Sequence, residues 1–171
     1  MIKVKKTKLK GVLQIVPDVF LDRRGRFIET YNEKLYKEKG INVDFVQDDI
    51  SCSKKNVLRG IHGDKETYKL VSCSFGKLFF VVVNCNVKSK DFGKWQSFEL
   101  SDENRLQIFV PPNHGSAYLV QSREAIFTYK QSTYFTPGIQ FTYRWDTPLF
   151  KIKWPIKNPI LSARDKLGRY A

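Results

Sequence analysis

Histidine is scarce in this sequence: only His62 and His114 occur in 171 residues. A histidine-rich metal centre is thereby excluded, because a His-x-His…Glu…His ligand set cannot be assembled from two imidazoles at this spacing. Cysteine is almost as sparse. Cys52, Cys73 and Cys85 are odd in number and none stands in Cys-x-x-Cys spacing, so they read as reduced core or half-buried thiols within strand-like runs, consistent with the cytoplasm. No apolar run approaches the roughly 18 residues of a membrane span. The basic N-terminus lacks the apolar stretch of a secretory signal. Acidic residues are few as well, 17 against 30 Lys and Arg, which leaves a net charge of +13. That surplus suits nucleic acid, a small anionic substrate or a solvated basic surface. Outside a cluster at residues 3–10 the charge is dispersed. No helix-turn-helix, zinc-finger or RNP-like pattern accompanies it, so neither nucleic acid nor membrane is expected as a partner.

What the chain does contain is strand signal. Apolar residues make up 42% and aromatics 14%, and the length suits a single domain, 1–171. Short apolar or alternating runs recur at residues 12–16, 26–31, 45–52, 69–74, 78–85, 95–100, 106–110, 117–121, 125–130 and 140–145. Turn signals separate them, among them Asp22-Arg23-Arg24-Gly25, Pro111-Pro112-Asn113 and Thr136-Pro137-Gly138. This rhythm predicts an all-β sandwich or barrel. One helix is expected over residues 32–39, capped by Asn32, with Leu35 and Tyr36 toward the core. A second short turn is expected at Ser101. The continuous run 79–83 predicts a strand buried on both faces.

One histidine stands in a suggestive place, Val57-Leu58-Arg59-Gly60-Ile61-His62-Gly63. Imidazole is the usual proton carrier near neutral pH, and an Arg three residues away is a candidate anion clamp. Together they point to an enzyme acting on a phosphorylated or nucleotide-linked small molecule. Other segments follow in order: Val19-Phe20-Leu21-Asp22-Arg23-Arg24-Gly25-Arg26-Phe27, Glu29-Thr30-Tyr31-Asn32, Phe45-Val46-Gln47-Asp48, Lys69-Leu70-Val71, Phe92-Gly93-Lys94-Trp95, Tyr129-Lys130, Trp154-Pro155 and Leu161-Ser162-Ala163-Arg164-Asp165.

In this order the segments resemble the dTDP-4-dehydrorhamnose 3,5-epimerase family, cupin-like enzymes acting on nucleotide-linked 4-keto-6-deoxy sugars. The resemblance implies a cupin or jelly-roll β-sandwich, no cofactor and no metal. It also implies a homodimer whose N-terminal strands cross into the partner. It makes His62 the catalytic base, Asp165 its paired carboxylate, Tyr129 the general acid on the opposite face and Lys69 the group near the keto oxygen. Arg24 and Arg59 match anion-contacting arginines, Glu29 and Gln47 polar pocket residues, and Tyr134 a tyrosine at the nucleotide end.

The chain departs from the family in three places. Ser116, thirteen residues before Tyr129, stands where the family has the histidine of Phe-Ala-His-Gly-Phe. His114 is two positions away and reads as a structural or rim histidine. The segment Gly63-Asp64-Lys65-Glu66-Thr67-Tyr68 is shorter than the family loop, and Phe79-Phe80-Val81-Val82-Val83-Asn84 lacks two carboxylates of the family strand. These departures resemble a subgroup acting on GDP-linked 6-deoxy-4-keto-heptose in bacterial capsule synthesis, because serine for histidine leaves room for a seventh carbon. The expected reaction is inversion at C3, with C5 as a second carbon. Two alternatives remain: a 3,4-ketoisomerase on the same scaffold, and a non-catalytic sugar-nucleotide or nucleic-acid binding module.

Overall fold

The structure, a computed structural model, describes residues 2–136 and 138–171. Two antiparallel sheets face one another. One has the spatial order β1 (Lys3–Lys6), β2 (Leu13–Val16), β10 (Gln107–Val110), β7 (Lys69–Phe75), β12 (Glu124–Gln131), β5 (Gln47–Lys54). The other runs β13 (Phe141–Thr142), β6 (Leu58–Gly63), β11 (His114–Val120), β8 (Lys77–Asn84), β9 (Trp95–Ser101). A separate hairpin, β3 (Val19–Asp22) and β4 (Gly25–Ile28), stands apart from both. The expected cupin-like β-sandwich is the observed fold.

Period-2 alternation builds the layers. On β8, Leu78, Phe80 and Val82 point between the sheets and meet Val71, Ile108 and Phe127 from the opposite sheet. Val81 and Val83, on the other side of β8, pack against Tyr143 and Phe150 of the C-terminal segment. The strand is therefore covered on both faces, as its unbroken apolar run predicts. A third cluster joins Ile15, Leu70 and Phe109 to Tyr36 of helix α1 (Glu33–Glu38). Asn32 caps α1 by accepting the Leu35 N–H at 3.2 Å.

Several expectations need correction. Run 140–145 is a strand only over Phe141–Thr142; Tyr143 still exchanges backbone hydrogen bonds with Ile61 and bridges to Arg169, and the chain beyond it crosses the outer face of the sheet, where Phe150, Ile152 and Trp154 pack. Run 26–31 stops at Ile28. The short turn expected at Ser101 is present: Ser101 ends β9 and its hydroxyl accepts the Asn104 N–H at 3.0 Å. The lysine cluster at residues 3–10 is in part β1, an edge strand whose charges discourage further pairing. Cys73 and Cys85 are buried, Cys85 one residue beyond β8, whereas Cys52 lies on the exposed side of β5. The turn expected at Thr136-Pro137-Gly138 falls partly outside the described residues.

Candidate active site

The apolar filling between the sheets gives way at one end to a hollow of about 290 Å³. Six of the residues singled out from the sequence line it: Arg59 and His62 from β6, Ser116 from β11, Lys69 from β7, Tyr129 from β12, and Asp165 from helix α2 (Ala163–Lys166). His62 and Ser116 are cross-strand partners. Gly60 makes this pairing close: it has φ 121°, and a Cβ there would collide with the Ser116 carbonyl and the Ala117 side chain.

The shortest polar contact is His62 Nε2 to Asp165 Oδ1, 2.6 Å. Asp165 belongs to a polar C-terminal stretch, yet its side chain is only 2% exposed. Ser162 explains how it is held. Its hydroxyl caps α2 by accepting the Asp165 N–H at 3.1 Å and donates to Asp165 Oδ2 at 2.8 Å. Burial works to raise the Asp165 pKa, but hydrogen bonds from His62, Ser162 and the Gly60 backbone outweigh it and hold the carboxyl below its ordinary range.

Lys69 and Tyr129 stand on neighbouring strands, with the ammonium 5.8 Å from the ring centroid. Burial lowers the Lys69 pKa; the Arg164 charge adds to this, while Asp64 and Asp49 oppose it. Burial raises the Tyr129 phenol to about 12, with Asp49 and Tyr118 adding to the rise and Arg59 opposing it. Tyr129 continues a row of rings: Tyr118 lies 4.5 Å from Phe127, and Phe127 lies 5.4 Å from Tyr129. Arg59 donates from Nε to Ser53 Oγ at 3.1 Å and has no carboxylate partner among the described residues.

The other four sequence candidates lie elsewhere. Arg24 sits at the tip of the β3–β4 hairpin, paired with Asp22 and 84% exposed. Glu29 follows β4, outside the hollow. Gln47 acts as a brace: its amide donates to Asp49 at 2.9 Å and its oxygen accepts the Phe135 N–H at 2.8 Å. Tyr134 lines an adjoining hollow of about 250 Å³, which shares Phe135 and Gln140 with the first. His114 has its Nδ1 against the Pro112 carbonyl at 3.1 Å, and burial lowers its pKa. The sequence reading missed Ser51, Tyr118, Gln140 and Arg164, all of which line the same hollow. Tyr118 had a usable signal, since it lies two residues from Ser116 on one strand face. Among the described residues no group of three His, Cys, Asp or Glu side chains converges to hold a metal ion. None of their helices is long and apolar enough to cross a membrane.

A sandwich of this kind, with a carboxylate-backed imidazole, an ammonium and a phenol around one hollow, belongs with the cupin-like enzymes. A profile of dTDP-4-dehydrorhamnose 3,5-epimerase matches residues 6–170. The chain belongs to this isomerase family. It is 40% identical over 168 residues to the dTDP-4-dehydrorhamnose 3,5-epimerase of Shigella flexneri, covering 96% of this chain and 93% of the relative. It superposes with a TM-score of 0.95 on the Legionella pneumophila dTDP-6-deoxy-D-glucose-3,5-epimerase in complex with dTDP-4-keto-L-rhamnose, at 34% identity and 99% and 93% coverage. The Bacillus anthracis dTDP-4-dehydrorhamnose 3,5-epimerase with TDP and pyrophosphate bound matches at a TM-score of 0.96, 29% identity and full coverage of both chains.

Proposed function

We propose that the chain inverts C3, with C5 as a second carbon, of a nucleotide-linked 4-keto-6-deoxy sugar. The observation that carries this reading is the placement of His62 and Tyr129 on opposite sheets around one hollow. A ketone at C4 acidifies the hydrogens on C3 and C5. Epimerisation needs a base on one face of the sugar, an acid on the other, and a positive group beside O4.

His62 is the base. Asp165 accepts a hydrogen bond at one ring nitrogen, leaving the other basic, and stabilises the imidazolium that forms. Lys69 stabilises the enolate oxygen. Tyr129 carries its proton at neutral pH even at the ordinary phenol value, burial raises that value further, and it delivers the proton to the opposite face. Arg59 offers a guanidinium to the pyrophosphate.

Ser116 supports a larger sugar than a hexose. It lines the hollow opposite His62 with a side chain several atoms shorter than a histidine, which favours a 6-deoxy-4-keto-heptose. GDP was expected alongside the heptose from the resemblance, whereas the relatives from Shigella flexneri and Legionella pneumophila are dTDP-sugar epimerases, which supports dTDP. The test is incubation in deuterated water with hexose and heptose 4-keto sugars, each on both nucleotides. Deuterium entering C3 above C5, greatest for a heptose, is the expected result. An absence of exchange into every sugar overturns the epimerase reading.

The partner we infer is a second copy of the chain. The β3–β4 hairpin exposes Leu21 at 73% and Phe27 at 68%, apolar surface that strand exchange would cover and that would carry Arg24 toward a neighbouring hollow. The three cysteines are free thiols, which supports a reducing, cytoplasmic setting.

A further inference from the structure

The hollow contains a second phenol that the base, acid and enolate roles leave unused. Tyr118 is 5% exposed, and its hydroxyl lies 2.8 Å from Ser51 Oγ and 3.5 Å from Ser53 Oγ. Ser53 in turn accepts from Arg59 Nε at 3.1 Å. A guanidinium only donates, so Ser53 Oγ accepts from Arg59. Either oxygen can donate in the Ser53–Tyr118 and Tyr118–Ser51 contacts. Whichever way the row runs, Arg59 Nε and the three hydroxyls bring four hydrogens to three internal contacts. One hydroxyl of the row is left with a spare donor, beside the wall that Ser51 and Tyr118 form. Beside this row, two residues along β11 and on the same face as Tyr118, the Ser116 hydroxyl lines the hollow and makes no side-chain hydrogen bond among the described residues.

A wall with a surplus donor and an unengaged hydroxyl is built for an oxygen acceptor that can also donate, which is an alcohol. We propose that Tyr118, with Ser51 and Ser116, forms a hydroxyl-reading subsite for the exocyclic arm of the sugar, and that Tyr118 determines specificity there. The inference rests on the epimerase reading above. The arm of a 6-deoxyhexose ends in a methyl group, which leaves these hydroxyls unmet. The arm of a 6-deoxyheptose ends in CH2OH, which meets them. A site arranged to hydrogen-bond a hydroxyl discriminates strongly against the analogue that lacks it, because its own polar groups are then left unpaired.

The test compares kcat/KM for a nucleotide-linked 4-keto-6-deoxy-heptose and hexose carrying the same nucleotide. Wild type, Tyr118→Phe and Ser116→Ala are measured side by side. Tyr118→Phe keeps the ring against Phe127, and thermal unfolding confirms that each variant folds. Wild type should favour the heptose, and each substitution should lower the heptose-to-hexose ratio by roughly tenfold or more, chiefly through KM. An unchanged ratio in Tyr118→Phe overturns the subsite and leaves the epimerase reading standing. So does a wild-type preference for the methyl-ended sugar. Loss of turnover on both sugars by wild type overturns the epimerase reading itself.

Discussion

His62 on β6 and Tyr129 on β12 belong to different sheets, and both side chains line the one hollow that the sheets enclose. In the proposed reaction, base and acid would therefore approach the sugar ring from its two faces. A single strand cannot supply that arrangement, because alternate side chains on a strand share one face.

Replacing the base should remove the first proton transfer. His62→Asn should lower kcat by at least about a hundredfold, the range of general base catalysis. Solvent deuterium incorporation at C3, followed by NMR, should fall with it. Exchange at the wild-type rate would remove His62 from the mechanism.

Tyr129→Phe separates the two half-reactions. The ring contact with Phe127 is kept, so the fold should survive. Net inversion should be lost while hydrogen exchange at C3 continues, since His62 can still remove and return a proton on one face. Product stereochemistry and deuterium content, read from the same NMR sample, check this.

Lys69→Met exchanges activity for stability. Removing the cation beside the enolate should cost about 10²–10³-fold in kcat, the range for a single oxyanion donor. Burial depresses the folded pKa of Lys69, so near the alkaline end the unfolded chain holds the proton more tightly than the folded one does. The buried ammonium therefore destabilises at neutral pH, and that cost fades as pH rises toward about 10.4, the unfolded value. Denaturant unfolding should show the variant more stable than wild type at pH 7, with the gap closing as pH rises through the folded value toward pH 10.

Asp165 behaves with the opposite sign. Its folded pKa is depressed, so its ionised form contributes stability above the unfolded value of about 3.9, and that contribution disappears as pH falls through the folded value. The stability difference between wild type and Asp165→Asn should be flat above about pH 5 and shrink in stronger acid. A difference independent of pH down to the acid transition would count against an ionised Asp165.

The exposed hairpin makes a separate prediction about assembly. Replacing Leu21 and Phe27 together by Asp should shift sedimentation from dimer to monomer and lower turnover, while far-UV circular dichroism stays unchanged. Wild type that sediments as a monomer would remove the exchange of strands.

Strands were legible where an apolar run is bounded by turns, as at β8 with both faces buried, and the capped helix after Asn32 was legible from equally local signals. The β1 edge strand was not, because alternation is hidden in Lys-Val-Lys-Lys and its pairing with β2 is settled by tertiary contact. Nothing in the polar residues around Asp165 signals burial; only the docking of α2 buries it. Ser51 and Ser53 alternate with exposed residues on β5 in plain view, but nothing local says that Tyr118, 67 positions away from Ser51, completes their hydrogen bonding. Motif order placed six residues in the hollow. The same order leaves Arg24 and Glu29 outside it, since one chain alone does not bring the hairpin there.

Because Phe80, Val82 and Phe127 pack between the two layers, the width of the gap that separates imidazole from phenol is measured out by grease rather than by polar groups. Trimming that filling would leave every titrating atom intact and still shift the proposed base and acid relative to a sugar held between them.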